Sequence, residues 1–557
     1  MLTRRVSWAL RLTYFLLISN FVSLSAYGEK VLRWQPDPEF NQVRHGAQQM
    51  WNEMLWGVDF LTGRTWAFDG TKYIDGGKMP GDNRPMIGLY TDYGAFLLGP
   101  AGSGETTKSE IVYSPDGFQN YTTVLSVESY SSDKPFAAAL RRSLADLGDG
   151  RLMYFQYSDN TRIFYSDNQG QDWQEILTPL PGSIRHLHGG FYDADYGKLY
   201  LMAGDGDSQA SIMVCDDLFG TDGLINNPDL WLTRWGMTDK LRTTLDPAYF
   251  LAVNGVIRSQ RVRTVDMEID GNFLIWGEDS GFTGGQSIYR TDRQTGETTL
   301  IGDERMIGGP WRMLATTDGD FLTYNSSIHF QSALLPGMDE FAHIYKLNED
   351  RTDYVEAARF LSRATTGTGT TSYGFTDAFD RLWLNGYNIT QKNLDLVGRL
   401  VEVTLGDVNG DDLVTVEDID LLTSHVLENG SLPVFDMDLS GYVDQVDREL
   451  WVEQIVGTSF GDANLDGKFD SHDLVLVMQA GRYEADASQN TGWAAGDWNG
   501  DHRFTSADLV LAFDRGLYYV DSEGKTARII PEPSTGVLCA IALSLLFGSR
   551  RRSVSRK

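Results

Sequence analysis

Four acidic stretches in the last third of the chain repeat one order of oxygen-bearing side chains. The first runs from Asp407 to Asp418, the second from Asp436 to Asp447, the third from Asp462 to Asp473, the fourth from Asp497 to Asp508. Positions 1, 3, 5, 9 and 12 are Asp407, Asn409, Asp411, Thr415 and Asp418 in the first, and Asp436, Asp438, Ser440, Asp444 and Asp447 in the second. They are Asp462, Asn464, Asp466, Asp470 and Asp473 in the third, and Asp497, Asn499, Asp501, Thr505 and Asp508 in the fourth. Position 7 contributes only a backbone carbonyl to such a wrap, which Leu413, Tyr442, Lys468 and Arg503 all supply. A loop that closes on itself through oxygens at this spacing suits a hard cation with six to eight oxygen ligands, and Ca2+ is the cofactor expected. Four copies make chance a poor explanation.

Each loop leads into a short apolar helix. Asp473-Leu474-Val475-Leu476 and Asp508-Leu509-Val510-Leu511 are near copies, followed by Gly481 and Gly516; Ile419, Leu422 and Val426 recur at helical spacing before Gly430. Helices follow the loops, and no helix obviously enters them. These residues resemble the dockerin type I repeat over roughly residues 405–520, with one loop pair expected in 406–457 and a second in 458–520. Position 6 of such loops turns with positive φ and favours glycine. Gly441 and Gly467 comply, while Asp412 and His502 stand there in the first and fourth loops, which are expected to be weakened and not lost. Positions 10 and 11 are Val416-Glu417, Gln445-Val446, Ser471-His472 and Ser506-Ala507. None is the Ser-Thr-like pair with which these repeats engage a cohesin, and that argues against a cohesin partner.

The two ends carry export signals. Arg4 and Arg5, an apolar run from Leu12 to Val22 and the small residues of Ser25-Ala26-Tyr27-Gly28 predict a secretory signal peptide over 1–28. Pro531-Glu532-Pro533, an apolar run from Val537 to Phe547 and Arg550-Arg551-Arg552 resemble the PEP-CTERM sorting tail, expected over 528–557. The resemblance implies removal by an exosortase-type enzyme and delivery to the cell surface or extracellular matrix. Of two cysteines, Cys539 lies in that tail, so Cys215 would be left alone and no internal disulfide is expected. A formal net charge of −30 argues against nucleic acid and anionic membrane surfaces as partners.

Residues 30–405 read as short strands separated by Asp-Gly, Asn and Ser turns, the layout of an all-β protein. A longer period overlies them. Segments from Arg141, Arg185, Arg263 and Trp311 each repeat a strand, a turn and a second strand within roughly 35–55 residues, the signature of a β-propeller. Six or seven blades are expected, followed by the small helical calcium-loop module. Ser166-Asp167-Asn168-Gln169-Gly170-Gln171-Asp172-Trp173 resembles the Asp-box, and Ser114-Pro115-Asp116-Gly117-Phe118-Gln119-Asn120-Tyr121 is a looser copy. Such boxes mark architecture on the periphery of propellers and do not define chemistry.

The repeats begin with basic residues, and alternation on strands places some chemistry on one side. His186 and His188 flank Leu187, and Asp266 and Glu268 flank Met267. Asp266 and Glu268 are the candidate acidic pair for glycoside hydrolysis, with Arg185, His186, His188, Arg263 and Arg312 as candidate ligand contacts. The competing expectation is that acids and arginines tie neighbouring blades together. Function is accordingly expected to be binding or hydrolysis of polysaccharide by an exported protein, or a non-catalytic structural or adhesive role in an envelope or matrix.

Overall fold

In the computed structural model the described residues lie between Lys30 and Ala527. The main stretches outside them are 37–47, 80–86, 102–106, 130–139, 180–183, 205–209, 233–261, 280–285, 307–311, 316–320, 325–328, 335–340, 362–370, 377–381, 388–394, 486–490 and 520–525. The expected signal peptide and sorting tail also fall outside, as does Arg185. The chain divides into two compact units, Leu32–Glu402 and a second made of Met1–Val31 with Val403–Lys557.

The first unit is a β-propeller. Among the described residues it contains seven antiparallel sheets of three or four strands. The first begins with Gln48–Trp51, the second with Ile87–Thr91, the third with Leu144–Asp146 and the fourth with His186–Asp193. The fifth begins with Met267–Asp270, the sixth with Arg312–Ala315 and the seventh with Thr371–Thr376. Each of the first five is a simple meander in which consecutive strands pair. Side chains that alternate across a strand give each sheet two apolar faces to bury, and stacking sheet on sheet buries both.

The apolar clusters lie between successive sheets. Val58, Ala67 and Met79 of the first meet Ala95, Leu97 and Val112 of the second. Phe96 and Ile111 meet Leu152 and Tyr154 of the third, and Phe155 and Ile163 meet Leu199 and Leu201 of the fourth. Tyr200 and Met202 meet Leu274 and Trp276 of the fifth, whose Ile275 and Ile288 meet Tyr345 and Leu347 of the sixth. Ile344 and Phe360 then meet Leu384 and Leu400 of the seventh, and the Phe68 and Trp383 rings, 5.8 Å apart at 74°, join seventh to first. The sheets therefore form a closed ring.

Closure of the last sheet is non-local. Its order places Lys30–Pro36 outside Asp395–Thr404, which pairs with Leu382–Tyr387 and then Thr371–Thr376. The N-terminal strand thus completes the sheet built from the end of the unit. Trp34 anchors it, fully buried, with Nε1 donating to the Leu384 carbonyl at 3.0 Å. Gly398 makes this possible, since a Cβ there would sit 2.5 Å from the indole.

Both Asp-box segments occupy the same turn, between third and fourth strands of their sheets. Ser166 Oγ donates to Asn168 Oδ1 at 3.0 Å and accepts the Gly170 N–H at 3.0 Å, while Asp172 N–H donates to Asn168 Oδ1 at 3.0 Å. Ser114, Asp116, Phe118 and Asn120 repeat all three bonds at 3.2, 2.9 and 2.9 Å. Phe118 takes the left-handed place of Gly170, with φ of 72° against 73°. The looser copy is as well formed as the better one.

In the second unit four helices follow the four acidic loops: α1 (Val416–Leu427), α2 (Gln445–Leu450), α3 (Ser471–Gln479) and α4 (Ser506–Arg515). A five-residue π-helical turn, Trp451–Ile455, extends α2. One core serves all four: Ile419 and Leu422, Val443 and Trp451, Phe469 and Val477, and Phe504 and Ala512 belong to the same buried cluster. The two loop pairs expected from sequence are therefore not separate globules. A domain this small gains little from each pair alone, and pooling the apolar faces gives it a single core.

Candidate functional site

The four loops share one hydrogen-bonding pattern, and it winds the backbone around the carboxylates. The position-12 aspartate reaches back to the start of its own loop. Asp418 Oδ1 accepts from Val408 and Asn409 N–H at 2.9 and 3.2 Å; Asp508 Oδ1 accepts from Trp498 and Asn499 at 3.0 and 2.9 Å. Its second oxygen accepts the position-9 N–H at 2.7–2.8 Å in every loop, from Thr415, Asp444, Asp470 and Thr505. The position-1 aspartate accepts the position-6 N–H: Asp412 to Asp407 at 2.8 Å, Gly441 to Asp436 at 2.6 Å, Gly467 to Asp462 at 2.8 Å and His502 to Asp497 at 2.9 Å.

Position 6 is left-handed throughout, with φ of 66° at Asp412 and 63° at His502 beside 83° and 87° at Gly441 and Gly467. Asp and His tolerate that region better than most residues, and both unusual loops keep the full wrap. Sequence reading missed a second left-handed position. Position 4 has φ of 79° and 81° at Gly410 and Gly500, but also 54° and 55° at Leu439 and Leu465. The glycines in two of the four copies were the available signal.

All eight aspartates at positions 1 and 12 are buried, none more than 6% exposed. Among the described residues their one ion pair is with His502, whose Nδ1 lies 3.7 Å from Asp497 Oδ2. Burial raises the carboxyls of Asp418, Asp462, Asp473 and Asp508, pushes Asp497 up to about 6 and Asp447 up to about 7. Asp436 rises as well, through burial first and then repulsion by Asp447 and Asp438. Oxygens of Asp436, Asp438 and Asp447 all lie within 4.8 Å of one another. Buried like charges are costly unless a cation sits among them. The side chains at these positions offer oxygen donors alone, the chemistry a hard cation takes.

The propeller candidates are placed differently. Asp266 and Glu268 do share a side of their strand, and both face arginines that precede the third sheet. Arg141 Nη1 donates to Asp266 Oδ2 at 2.8 Å, and Arg142 Nε to Asp266 Oδ1 at 2.7 Å. Arg142 Nη2 reaches Glu268 Oε2 at 2.8 Å and also the Met267 carbonyl. The Arg142 guanidinium stacks 4.9 Å from the centre of the Phe191 ring in the fourth sheet, and its carbonyl accepts the Gly190 N–H at 2.9 Å. One cluster thus joins third, fourth and fifth sheets. Asp266 is fully buried and both its oxygens are engaged by guanidinium donors, an arrangement that ties sheets together.

His186 and His188 are also buried, with ring centres 5.4 Å apart, and the Tyr157 ring lies 4.0 Å from His186. His188 Nδ1 is 2.8 Å from the Thr264 carbonyl, a further link from fourth sheet to fifth. Arg263 pairs with Asp279 at 3.0 Å and is bound to it again through the backbone, within its own sheet. Arg312 opens the Arg312–Ala315 strand, and Arg185 lies outside the described residues. Sequence reading missed Arg142, the central member of the cluster, because the repeat boundary drew attention to Arg141 next to it.

No known family description matches the chain, and no curated protein does. Solved structures similar to it include a streptogramin B lyase, at 10% identity and a TM-score of 0.39, covering 68% of this chain and 99% of that one. YCF48 bound to D1 peptide matches at 10% identity and 0.39 over 68% and 98%, and YCF48 from Cyanidioschyzon merolae at 10% and 0.37 over 66% and 98%. At these scores the likenesses carry no argument, and the fold rests on the order of the sheets and the cores between them.

Proposed function

We propose that this is an exported, surface-sorted protein in which a seven-bladed propeller precedes a four-site, dockerin-like Ca2+ module. The observation that carries the calcium reading is the burial of eight aspartates, two in each loop, with one histidine as their ion-pair partner among the described residues. When bound, Ca2+ would neutralise those charges and fix each loop to its following helix. Asp407, Asp436, Asp462 and Asp497 would hold it from the loop starts, and Asp418, Asp447, Asp473 and Asp508 from the helix starts.

The propeller is proposed to serve as a non-catalytic binding scaffold, with polysaccharide as the ligand class that the dockerin resemblance favours. The double capture of Asp266 by Arg141 and Arg142 supports a scaffold over a hydrolase that uses this acidic pair. Export rests on the N-terminal segment and on the Pro531-Glu532-Pro533 tail. Among the described residues no helix is long and apolar enough to cross a membrane. Equilibrium dialysis of the full chain should count four Ca2+, and a glycan array scored for binding and for hydrolysis should return binding alone. Fewer than two Ca2+ would defeat the first proposal; hydrolysis lost on Glu268→Gln would defeat the second.

A further inference from the structure

Arg448 is fully buried although it stands one residue past the end of the second loop. Its guanidinium leaves its own loop and crosses to the fourth. Nη2 donates to the Trp498 carbonyl at 3.3 Å, Nε to Thr423 Oγ1 on α1 at 2.8 Å and Nη1 to Gln445 Oε1 at 3.1 Å. Trp498 is position 2 of the fourth loop, between the ligand positions Asp497 and Asn499. Gly500 lies directly over the guanidinium, where a Cβ would come within 2.5 Å of Nη1. Position 4 is occupied by leucine in the second and third loops, so glycine here has a packing reason beyond its φ of 81°.

The consequence is mechanical. Asp447 closes the second loop and is the residue before Arg448 in α2. Whatever fixes Asp447 fixes the base of Arg448, and Arg448 in turn fixes the carbonyl that sets the spacing of the first two ligands of the fourth loop. We infer that Arg448 is a positioning residue that couples calcium binding at the second loop to calcium binding at the fourth, across the boundary between the two dockerin-like pairs. The inference rests on the calcium reading above and adds to it a specific route. Coupling through one rigid element of this kind is on the order of fivefold or more in affinity. The physical element that carries it is the Arg448 guanidinium, which bonds to Gln445 on its own helix, to Thr423 on α1 and to the Trp498 carbonyl of the fourth loop.

The test is a double-mutant cycle on the full chain, titrated with Ca2+ against a chromophoric chelator. The fourth site is identified as the affinity class removed by Asp497→Ala. Asp436→Ala, which disables the second loop, is expected to weaken that class at least about fivefold. In an Arg448→Met background the effect of Asp436→Ala on the fourth site should vanish. Arg448→Lys, which keeps the charge but cannot donate in three directions, guards against a methionine variant that does not fold and should also lose most of the coupling. A fourth site indifferent to Asp436→Ala, or one whose dependence survives both Arg448 variants, overturns the inference. Absence of Ca2+ binding by the unmodified chain would show instead that the calcium reading itself has failed.

Discussion

Trp34 and Leu384 are joined by an indole-to-carbonyl hydrogen bond of 3.0 Å across 350 residues of chain. This bond and the burial around it close the ring of sheets. Trp34→Ala removes a fully buried ring from the cluster of Ile344, Phe360 and Leu384. It is expected to cost the propeller about 3–5 kcal/mol. Chemical denaturation followed by intrinsic fluorescence measures it, and a change under about 1 kcal/mol would show that the N-terminal strand does not hold the ring shut.

How much of this was legible in the sequence depends on range. Strands such as Ser211–Cys215 and Phe273–Gly277 announce themselves by apolar runs between turn residues, and both Asp-box turns are written in local spacing. The partner of Lys30–Pro36 is not, because its pairing strand begins at Asp395 and nothing near either end records the match. The four acidic loops and the helices that follow them were legible from spacing, since the order of side chains is a property of one short segment. The shared core was not, because Val443 and Phe504 meet only through tertiary packing. The surroundings of Asp266 were not legible for the same reason: alternation gives a side of a strand, while the arginines beside it precede another sheet.

Calcium removal is expected to unfold the second unit first. Its core is small and its loops concentrate buried carboxylates, so the metal contributes directly to folding. Calorimetry of the full chain should show one transition that moves down on adding chelator and a second that does not. Asp473→Ala, which deletes the acceptor for both Ala463 and Asp470 N–H groups, should lower the first transition more than Thr415→Ala. Transitions that ignore chelator would refute a calcium-held module.

The chelated protein should have an unusual pH profile. Burial holds Asp447 up at about 7 in the folded state against 3.8 as the ordinary value, and Asp436 is raised in the same direction. Between those limits the folded chain keeps a proton that the unfolded chain has released, so stability falls as pH rises from about 4 to 7. In chelator, the module should therefore melt higher at pH 5 than at pH 8. Saturating Ca2+ competes with those protons and should flatten or invert the slope. A chelated melting temperature that climbs towards pH 8 would contradict the burial of these carboxylates.

Asp266 gives the clearest separation of scaffold from catalyst. Replacing it by alanine strands Arg141 and Arg142, whose side chains are 28% and 18% exposed, against a buried strand. Removing one partner of a fully buried pair costs about 3–5 kcal/mol, and solvent access to the arginines reduces that to about 2–3 kcal/mol here. Arg142→Met should be milder than Asp266→Ala, because it leaves Asp266 the Arg141 guanidinium and the Met267 N–H as donors and keeps apolar contact with Phe191. Denaturant unfolding of the propeller transition measures both. The order matters as much as the size, since a clasp weakens when either side is cut and a catalytic acid does not. An Asp266→Ala protein as stable as the unmodified chain, with a glycan-cleaving activity lost, would return the pair to an active site.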